Sequence, residues 1–314
     1  MSTSQTPLSR RTFLKRITVG ATAIATAQVW GDPAQFVQAD EAAADQGWGM
    51  LVDLTRCVGC NSCALACKTA NQLPHVEIEP QTLSSQVYTF VDERPVTTTG
   101  GQTETRHVKR QCMHCLDAAC VAACPAGAMV KSETGPVIYR AERCLGCRYC
   151  QLACPFEAPS FEWADGLTPV ISKCWLCYNR LQQGKKPACV EACPTGALRF
   201  GKRDRLLAQA HGQIASNPHR YIDHVFGEFE VGGTSILYLS DIPFEAMGFP
   251  VDLPQTAPSL ETEKIMSKLP LVIAGMAALL AGAAVYTQRK SALTLAARAE
   301  VPAPLPPGGD EQEK

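Results

Sequence analysis

The stretch CVGCNSCALAC, residues 57–67, contains four cysteines spaced C-x2-C-x2-C-x3-C. Further groups of four cysteines follow within residues 112–124, 144–154 and 174–193, and we call the four groups motifs one to four in chain order. Motif three repeats the first spacing, motif two is wider in its middle, and motif four has a long gap before its third cysteine. These motifs account for all sixteen cysteines of the chain, so none is left for another role.

The spacing of the cysteines indicates iron–sulfur clusters. A C-x2-C-x2-C loop brings three thiolates to one cluster, and in two-cluster ferredoxins the fourth cysteine, commonly before a proline, binds the neighbouring cluster. A proline follows the last cysteine of motifs two, three and four. Because proline suits the first turn of a helix, we expect these cysteines at helix starts. Three-iron sites commonly lack one ligand, whereas every motif here is complete, so the sequence predicts four [4Fe-4S] clusters.

Two further interpretations of the cysteines fit the spacing less well. Zinc also uses C-x2-C pairs, but a structural zinc ion takes two pairs and does not need the x3-C-Pro ending. A disulfide scaffold would show scattered spacings in a smaller secreted domain. Iron is favoured over both, and the predicted ligands are Cys57, Cys60, Cys63, Cys67, Cys112, Cys115, Cys120, Cys124, Cys144, Cys147, Cys150, Cys154, Cys174, Cys177, Cys189 and Cys193.

The composition excludes several classes of protein. The chain has 314 residues, 46% of them hydrophobic and 19% charged, with a net charge of −1. A near-neutral chain lacks the basic face that a general nucleic-acid binder needs to displace counterions. The composition is also unlike that of disordered or collagenous chains. No catalytic acid, base or nucleophile constellation stands out, so we expect a non-catalytic subunit.

The N-terminus resembles an export signal. Residues 9–15 read SRRTFLK and precede a weakly apolar run at 17–29. Paired arginines before such a run indicate a twin-arginine signal, with cleavage after Ala39 or Ala44. The run is too short to span a bilayer, and an ordinary basic helix start is the alternative. Because the twin-arginine route moves folded proteins, it fits a chain whose thiols must be protected by cofactors before export.

The C-terminal part of the chain contains a candidate membrane helix. Residues 269–286 carry no charge and consist mainly of Leu, Ala, Val, Ile and Gly. At about 1.5 Å per residue they extend roughly 27 Å, enough to cross the hydrocarbon core. Lys268 precedes the run, and Arg289 and Lys290 follow it. A buried soluble helix is the alternative. Export of the folded body would leave it on the periplasmic side, with the basic tail in the cytoplasm.

The remaining pattern predicts an α+β fold made of two ferredoxin-like modules, each holding two clusters. Residues 137–139 follow a turn at Gly135 and predict a β-hairpin between motifs two and three. The pattern Pro-x-Gly-Ala after motif two recurs after motif four, which indicates an internal repeat. Residues 69–108 are expected to form a surface loop or hairpin, and residues 233–240 a strand.

The four motifs, over residues 49–201, resemble those of the four-cluster iron–sulfur subunits of the dimethyl sulfoxide reductase and formate dehydrogenase class. Lys68, in place of a proline after motif one, departs from the other motifs. The chain's own signal, the QCMHC sequence at 111–115 and a single C-terminal helix make it similar to the hydrogenase type of this class. Formate dehydrogenase β subunits usually travel on a partner's signal, and nitrite or tetrathionate reductase types lack the helix.

The resemblance implies how the motifs pair and what the chain does. Motif one would pair with motif four, and motif two with motif three. The chain would pass electrons from the small and large subunits of a periplasmic nickel–iron hydrogenase to an integral membrane, quinone-reactive subunit. A molybdenum or tungsten oxidoreductase is the alternative partner, and a zinc-containing structural anchor is the alternative of another class. The implied ligand sets are Cys57, Cys60, Cys63 with Cys193; Cys174, Cys177, Cys189 with Cys67; Cys112, Cys115, Cys120 with Cys154; and Cys144, Cys147, Cys150 with Cys124.

The predicted domain organisation has five parts. They are the twin-arginine signal at 1–39, the four-cluster ferredoxin-like domain at 40–201, a partner-contact extension and linker at 202–264, a transmembrane region at 265–290 and a cytoplasmic tail at 291–314.

Overall fold

The computed structural model describes residues 47–74, 81–97, 101, 103–163 and 170–299. The predicted export signal, its cleavage sites and the last part of the predicted tail lie outside the described residues. The chain divides into two compact units, residues 1–257 and 258–314, and each is described by itself.

The first unit contains nine strands and six α-helices among its described residues. The strands are β1 Trp48–Asp53, β2 Thr89–Thr97, β3 Thr103–Gln111, β4 Met129–Lys131, β5 Val137–Tyr139, β6 Ser160–Phe161, β7 Ile171–Ser172, β8 Leu198–Lys202 and β9 Ile236–Leu239. The helices are α1 Ser62–Ala70, α2 Ala119–Ala122, α3 Tyr149–Leu152, α4 Tyr178–Gln182, α5 Ala188–Glu191 and α6 Arg203–Ser216. The second unit contains α7 Pro258–Met266 and α8 Leu269–Ala299.

Strand β1 is the centre of the first unit. It pairs antiparallel with β8 and parallel with β9, so both of its edges are hydrogen-bonded. Successive side chains of a strand point to opposite faces, and both faces of β1 are covered. Met50 and Val52 belong to one hydrophobic cluster, whereas Leu51 packs in another with Leu206 and Ala210 of α6. This burial on both faces explains why the strand reads as a continuous apolar run.

The end of β1 is set by a capping contact. The Asp53 side chain accepts a hydrogen bond from the Thr55 amide at 3.2 Å and another from the Thr55 hydroxyl at 2.7 Å. These bonds cap the 3-10 helix Leu54–Arg56, which leads directly into Cys57. The matching 3-10 helix Ala141–Arg143 leads into Cys144. The first cysteine loops of two motifs therefore begin from the same local structure.

The two predicted hairpins differ in where they lie. The hairpin of β4 and β5 between motifs two and three is confirmed, with Met129 opposite Tyr139. The segment 69–108 contributes β2 and part of β3, which form a long antiparallel hairpin. The expected surface location is wrong for part of this hairpin, because Val91 and Val108 pack in the same hydrophobic cluster as Met50. The two valines lie on opposite faces of the hairpin, so both faces contribute to this cluster.

The predicted strand at 233–240 is shorter in the structure, which has β9 over Ile236–Leu239. Gly233 has a φ of 91°, a backbone conformation that ends the extended segment. The four side chains of β9 are all buried. Its parallel pairing with β1 extends the central sheet at the edge opposite β8.

The second unit is helical where it is described. Helix α8 has 31 residues, which at 1.5 Å per residue gives about 46 Å, more than the roughly 30 Å of a hydrocarbon core. An apolar window within residues 258–295 has a mean hydropathy of 2.1, and the described side chains of α8 are exposed. Among the described residues, this is the one helix long and apolar enough to cross a membrane. The helix continues beyond the predicted run, past Arg289 and Lys290.

Candidate iron–sulfur sites

Each motif starts with a C-x2-C turn that contains a residue with positive φ. In motifs one and three this residue is Gly59 or Gly146, both with a φ of 70°. In motifs two and four it is His114 at 49° or Leu176 at 52°. Glycine adopts this conformation without steric cost, whereas the other two residues do so at some cost. At Gly59 a side chain is also excluded by space, because a Cβ atom would lie 2.5 Å from the His107 ring.

The turn orients a backbone amide toward the sulfur of the first cysteine of the motif. The Gly146 amide lies 3.4 Å from the Cys144 sulfur, and the Leu176 amide lies 3.3 Å from the Cys174 sulfur. Amide donors to cluster sulfurs are among the factors that set the potential of an iron–sulfur site. The turn therefore positions the sulfur atom and supplies a hydrogen bond to it.

The expectation that the fourth cysteines begin helices is wrong. Cys124, Cys154 and Cys193 each come just after a short helix, and Cys67 lies inside α1. The reason is that the third cysteine already lies in the helix, and the x3 spacing is about one helical turn. The proline that follows cannot continue the helix, so it marks the end of the helix.

The turn after the fourth cysteine surrounds its sulfur with amide groups. The Ala128 amide donates to the Cys124 sulfur at 3.2 Å. Burial raises the pKa of Cys124, but hydrogen bonds from the backbone of Met129 and Ala128 outweigh burial and leave this pKa lowered. The pKa of Cys193 is lowered in the same way, with burial opposed by the Leu198 amide and the Thr195 hydroxyl. These two sulfurs are therefore favoured as thiolates, the form that binds iron.

Two cavities of the first unit are each lined by four cysteines. One is lined by Cys57, Cys60 and Cys63 of motif one together with Cys193 of motif four, and we call this group cage A. The other is lined by Cys174, Cys177 and Cys189 of motif four together with Cys67 of motif one, and we call this group cage B. Motifs one and four have thus exchanged their fourth cysteines.

Motifs two and three show the same exchange in their electrostatic interactions. The pKa of Cys115 is raised by burial and then by the neighbouring sulfurs of Cys112, Cys154 and Cys120. These four cysteines are cage C. The pKa of Cys150 is raised to about 11 by burial and then by the remaining group, Cys124, Cys144 and Cys147, which completes cage D. The structure therefore brings the sixteen cysteines together in the groups that the resemblance implied, while their role as iron ligands stays a prediction.

The four cages follow one another in space in the order A, B, C, D. The Cys189 sulfur of cage B interacts with Cys63 of cage A, and the Cys174 sulfur of cage B interacts with Cys112 of cage C. The Cys120 sulfur of cage C interacts in turn with Cys150 of cage D. The order in space therefore differs from the order of the motifs in the sequence. Cages A and D are the ends of this series, and each contains one exposed cysteine.

Sequence reasoning missed two buried lysines beside the cages. Lys109 and Lys173 are both 1% exposed, although lysine is almost never fully buried without a partner. The Lys109 ammonium donates to the Thr89 hydroxyl at 2.7 Å and to the Gln111 side-chain carbonyl. Burial lowers the pKa of Lys109, but the sulfurs of Cys189 and Cys63 outweigh it and raise the pKa overall. The signal in the sequence is slight: Lys173 directly precedes Cys174, and Lys109 lies three positions before Cys112.

A second missed group, His114, lies inside the turn of motif two. It is fully buried, and its Nδ1 accepts a hydrogen bond from the Val137 amide at 3.0 Å. Burial lowers its pKa well below the usual range, and the charges of Lys173 and Lys131 lower it further. The imidazole is therefore neutral near cage C. Its hydrogen bond with Val137 connects motif two to β5.

The cages fit iron–sulfur clusters better than single metal ions. All sixteen cysteines are free of disulfide bonds. In the described part of the chain, no three His, Cys, Asp or Glu side chains converge on a point where one ion could sit. A zinc site needs its sulfurs at about 2.3 Å from one ion, whereas a cluster fills the larger space between four sulfurs. The donor set, four cysteines in each cage, is the one used by four-iron clusters.

Comparisons with known proteins agree with this chemistry. A family model described as a 4Fe-4S dicluster domain matches residues 103–203. The chain is 33% identical over 273 residues to the hydrogenase-2 operon protein HybA of Escherichia coli O157:H7, covering 74% of this chain and 83% of that protein. It is 36% identical over 248 residues to the iron-sulfur subunit of the nitrate-inducible formate dehydrogenase of Escherichia coli K12, covering 74% and 81%.

A third relative belongs to another oxidoreductase. The B subunit of the anaerobic dimethyl sulfoxide reductase of Escherichia coli K12 is 37% identical over 179 residues, covering 54% of this chain and 80% of that subunit. The resemblance predicted from the motifs is thereby confirmed. The chain belongs to the family of iron–sulfur electron-transfer subunits that includes HybA and the corresponding subunits of formate dehydrogenase and dimethyl sulfoxide reductase.

Proposed function

We propose that this chain carries four [4Fe-4S] clusters, one in each cage, and conducts electrons between two partners. The electron source would be the small and large subunits of a periplasmic nickel–iron hydrogenase, and the acceptor an integral membrane subunit that reduces quinone. The observation that carries this proposal is the arrangement of sixteen cysteines in four adjoining cages with exposed ends. Each bound cluster would supply one-electron redox chemistry, and the protein would fix its position and potential.

Strand pairing supports two ferredoxin-like modules within the first unit. Strand β5 precedes motif three and pairs antiparallel with β4, which follows motif two. In the same way β1 precedes motif one and pairs antiparallel with β8, which follows motif four. One module would hold cages C and D, and the other cages A and B. The exchanged fourth cysteines match the ligand pattern of two-cluster ferredoxins.

The exposed ends of the series are suited to electron entry and exit. Cys60 of cage A is exposed beside Val58, which is 59% exposed. Cys147 of cage D is exposed beside Leu145 and Leu152, which are 73% and 82% exposed. Large apolar side chains grouped at a surface mark contacts with other proteins. A partner that covers either end would bring its own redox centre close to a cluster and exclude water from the contact.

The second unit supplies the anchor in this proposal. Helix α8 would cross the inner membrane once, with the cluster-binding unit on the periplasmic side. Its small side chains, such as Gly275 and Gly282, allow close packing against helices of the membrane subunit. The twin-arginine segment at 9–15 would direct export of the folded chain.

The second candidate partner is a molybdenum or tungsten oxidoreductase, which the 36% identity to a formate dehydrogenase subunit supports. Isolation of the native complex distinguishes the two proposals. Nickel that co-purifies in stoichiometric amount with this chain supports the hydrogenase. A pterin cofactor in its place contradicts the hydrogenase and supports the molybdenum or tungsten enzyme.

The number and kind of metals test the cofactor itself. Full-length protein purified without oxygen is expected to contain about sixteen irons and an equal amount of acid-labile sulfide per chain. The measurement is iron, zinc and sulfide analysis of the same sample. A chain that is filled with zinc and free of iron would establish a structural anchor and overturn the proposal.

Tyr139 is expected to tune the cluster of cage D. Its buried hydroxyl hydrogen-bonds the Cys144 side chain, and a donor to a cluster ligand stabilises the more negative, reduced state. Tyr139→Phe should therefore lower the reduction potential of that cluster. A bond about 1 kcal/mol stronger to the reduced cluster than to the oxidised one corresponds to about a fivefold change in the reduced-to-oxidised ratio. Redox titration followed by electron paramagnetic resonance (EPR) measures the shift. Tyr149→Phe, at an exposed tyrosine of the same motif, is the control and should leave the potential unchanged.

A further inference from the structure

Two lysines lie at two of the three junctions of the cage series, one between cages A and B and one between cages B and C. Lys109 lines the cavity of cage A, while its hydrogen-bond partners Thr89 and Gln111 line that of cage B, so it lies between these cages. The Lys173 ammonium is 3.8 Å from the Cys112 sulfur of cage C and 2.9 Å from the carbonyl of Cys174 of cage B. Each of these two junctions thus contains one cationic side chain.

The surroundings of both lysines hold the ammonium groups in place. Lys109 is fixed by Thr89 and Gln111 from neighbouring positions of the β2–β3 hairpin. Lys173 donates to the Val137 carbonyl of β5 as well as to Cys174. With both side chains 1% exposed, water cannot screen their charges. A charge held in this way acts on the adjoining cages with a low effective dielectric constant.

The lysines lack the usual partners of buried cations. Within the described residues, the ion pairs that arginine and histidine make with carboxylates do not include Lys109 or Lys173. A buried cation without a counter-charge is strongly destabilising. Clusters ligated by four thiolates are anionic, and they become more negative on reduction. The clusters proposed in the adjoining cages would therefore supply the counter-charges of these lysines.

We propose that Lys109 and Lys173 are charge-balancing residues that raise the reduction potentials of the clusters on both sides of the A–B and B–C junctions. This inference rests on the proposed function, because it requires a [4Fe-4S] cluster in each cage. Lys109 would act on the clusters of cages A and B, and Lys173 on those of cages B and C. The cluster of cage B, which adjoins both lysines, would depend on them most.

The test removes each charge while keeping a hydrogen-bonding side chain. Lys109→Gln and Lys173→Gln are compared with the wild type by EPR-monitored redox titration of the full-length chain. Lys173→Gln should lower the potentials of the clusters in cages B and C and leave that of cage A unchanged. Lys109→Gln should instead lower those of cages A and B. We expect at least a tenfold change in each reduced-to-oxidised ratio, which is 59 mV for one electron.

Two sets of variants make the result specific to the charge. Lys186→Gln, at an exposed lysine of motif four, should leave all potentials as in the wild type, because water screens its charge. Lys109→Arg and Lys173→Arg retain the charge, so they should keep the reduction potentials close to the wild-type values. If a Gln variant loses a cluster, the Arg variant at the same position is the deciding comparison. An Arg variant that retains the cluster at its wild-type potential supports the proposal. An Arg variant that also loses the cluster shows a packing role and overturns it.

The inference and the proposed function fail in different ways. A wild-type chain without iron–sulfur signals would remove the proposed function and this inference together. Wild-type clusters at full iron content, with Gln variants whose potentials match the wild type, would overturn only the role of the lysines.

Discussion

Cys67→Ser is expected to abolish the cluster of cage B and to leave that of cage A intact. Cys67 belongs to motif one in the sequence, but its sulfur lines the same cavity as Cys174, Cys177 and Cys189. Because an alcohol replaces a thiolate, the four-sulfur ligand set of cage B is broken. Iron content should fall from about sixteen to about twelve per chain. EPR spectra of the reduced variant should lack one signal.

Cys193→Ser is the matched control for this prediction. It lies in motif four, but its sulfur lines cage A with Cys57, Cys60 and Cys63. It should therefore remove the other signal of the pair and leave that of cage B. If Cys67→Ser and Cys193→Ser removed the clusters of their own motifs, the exchange of ligands would be contradicted. The two variants also identify which resonance belongs to which cage.

Truncation after Met266 is expected to release the chain from membranes. It removes α8, whose described apolar side chains are exposed along its whole length. Each CH₂ group that the bilayer covers contributes about 0.8 kcal/mol, so loss of the helix removes far more binding energy than surface charges could replace. We expect at least a tenfold rise in the soluble fraction after washing at high salt.

The measurement has to distinguish membrane attachment through α8 from attachment through partner subunits. The chain and its truncated form are expressed without partners, and both are followed by fractionation and immunodetection. Gly282→Ala, which preserves the length and apolar character of the helix, is the control and should stay with the membrane. A truncated chain that sediments with membranes as fully as the intact one would rule out α8 as the anchor.

The sequence predicted the parts of the molecule that repeat a local pattern. Four complete cysteine motifs, the β4–β5 hairpin and the C-terminal apolar helix all depend on residues near one another in the chain. The exchange between motifs one and four depends on residues more than a hundred positions apart. The motif pattern of two-cluster ferredoxins predicted that fourth cysteines are exchanged, but which motif pairs with which came from the resemblance alone.

Two features were beyond sequence reasoning for physical reasons. The helix-start prediction failed because proline is common both at the first turn of a helix and just after its end, and only the chain path shows which applies at Pro125. Lys109 and Lys173 were passed over because lysine is normally a surface residue. Their burial becomes visible only when the hairpin and the cysteine loops are seen packed together.

The pairing of β1 with β8 also sets an order in which the protein can be assembled. Trp48 lies opposite Lys202, so this ladder closes a loop that contains all four motifs. The hairpin of β4 and β5 closes within a few residues and loses little loop-closure entropy. As the chain leaves the ribosome, the segment around motifs two and three can take its native form first. Strand β1 can pair with β8 only later, after β8 has been synthesised. Cages A and B can therefore be completed only after motif four has been synthesised.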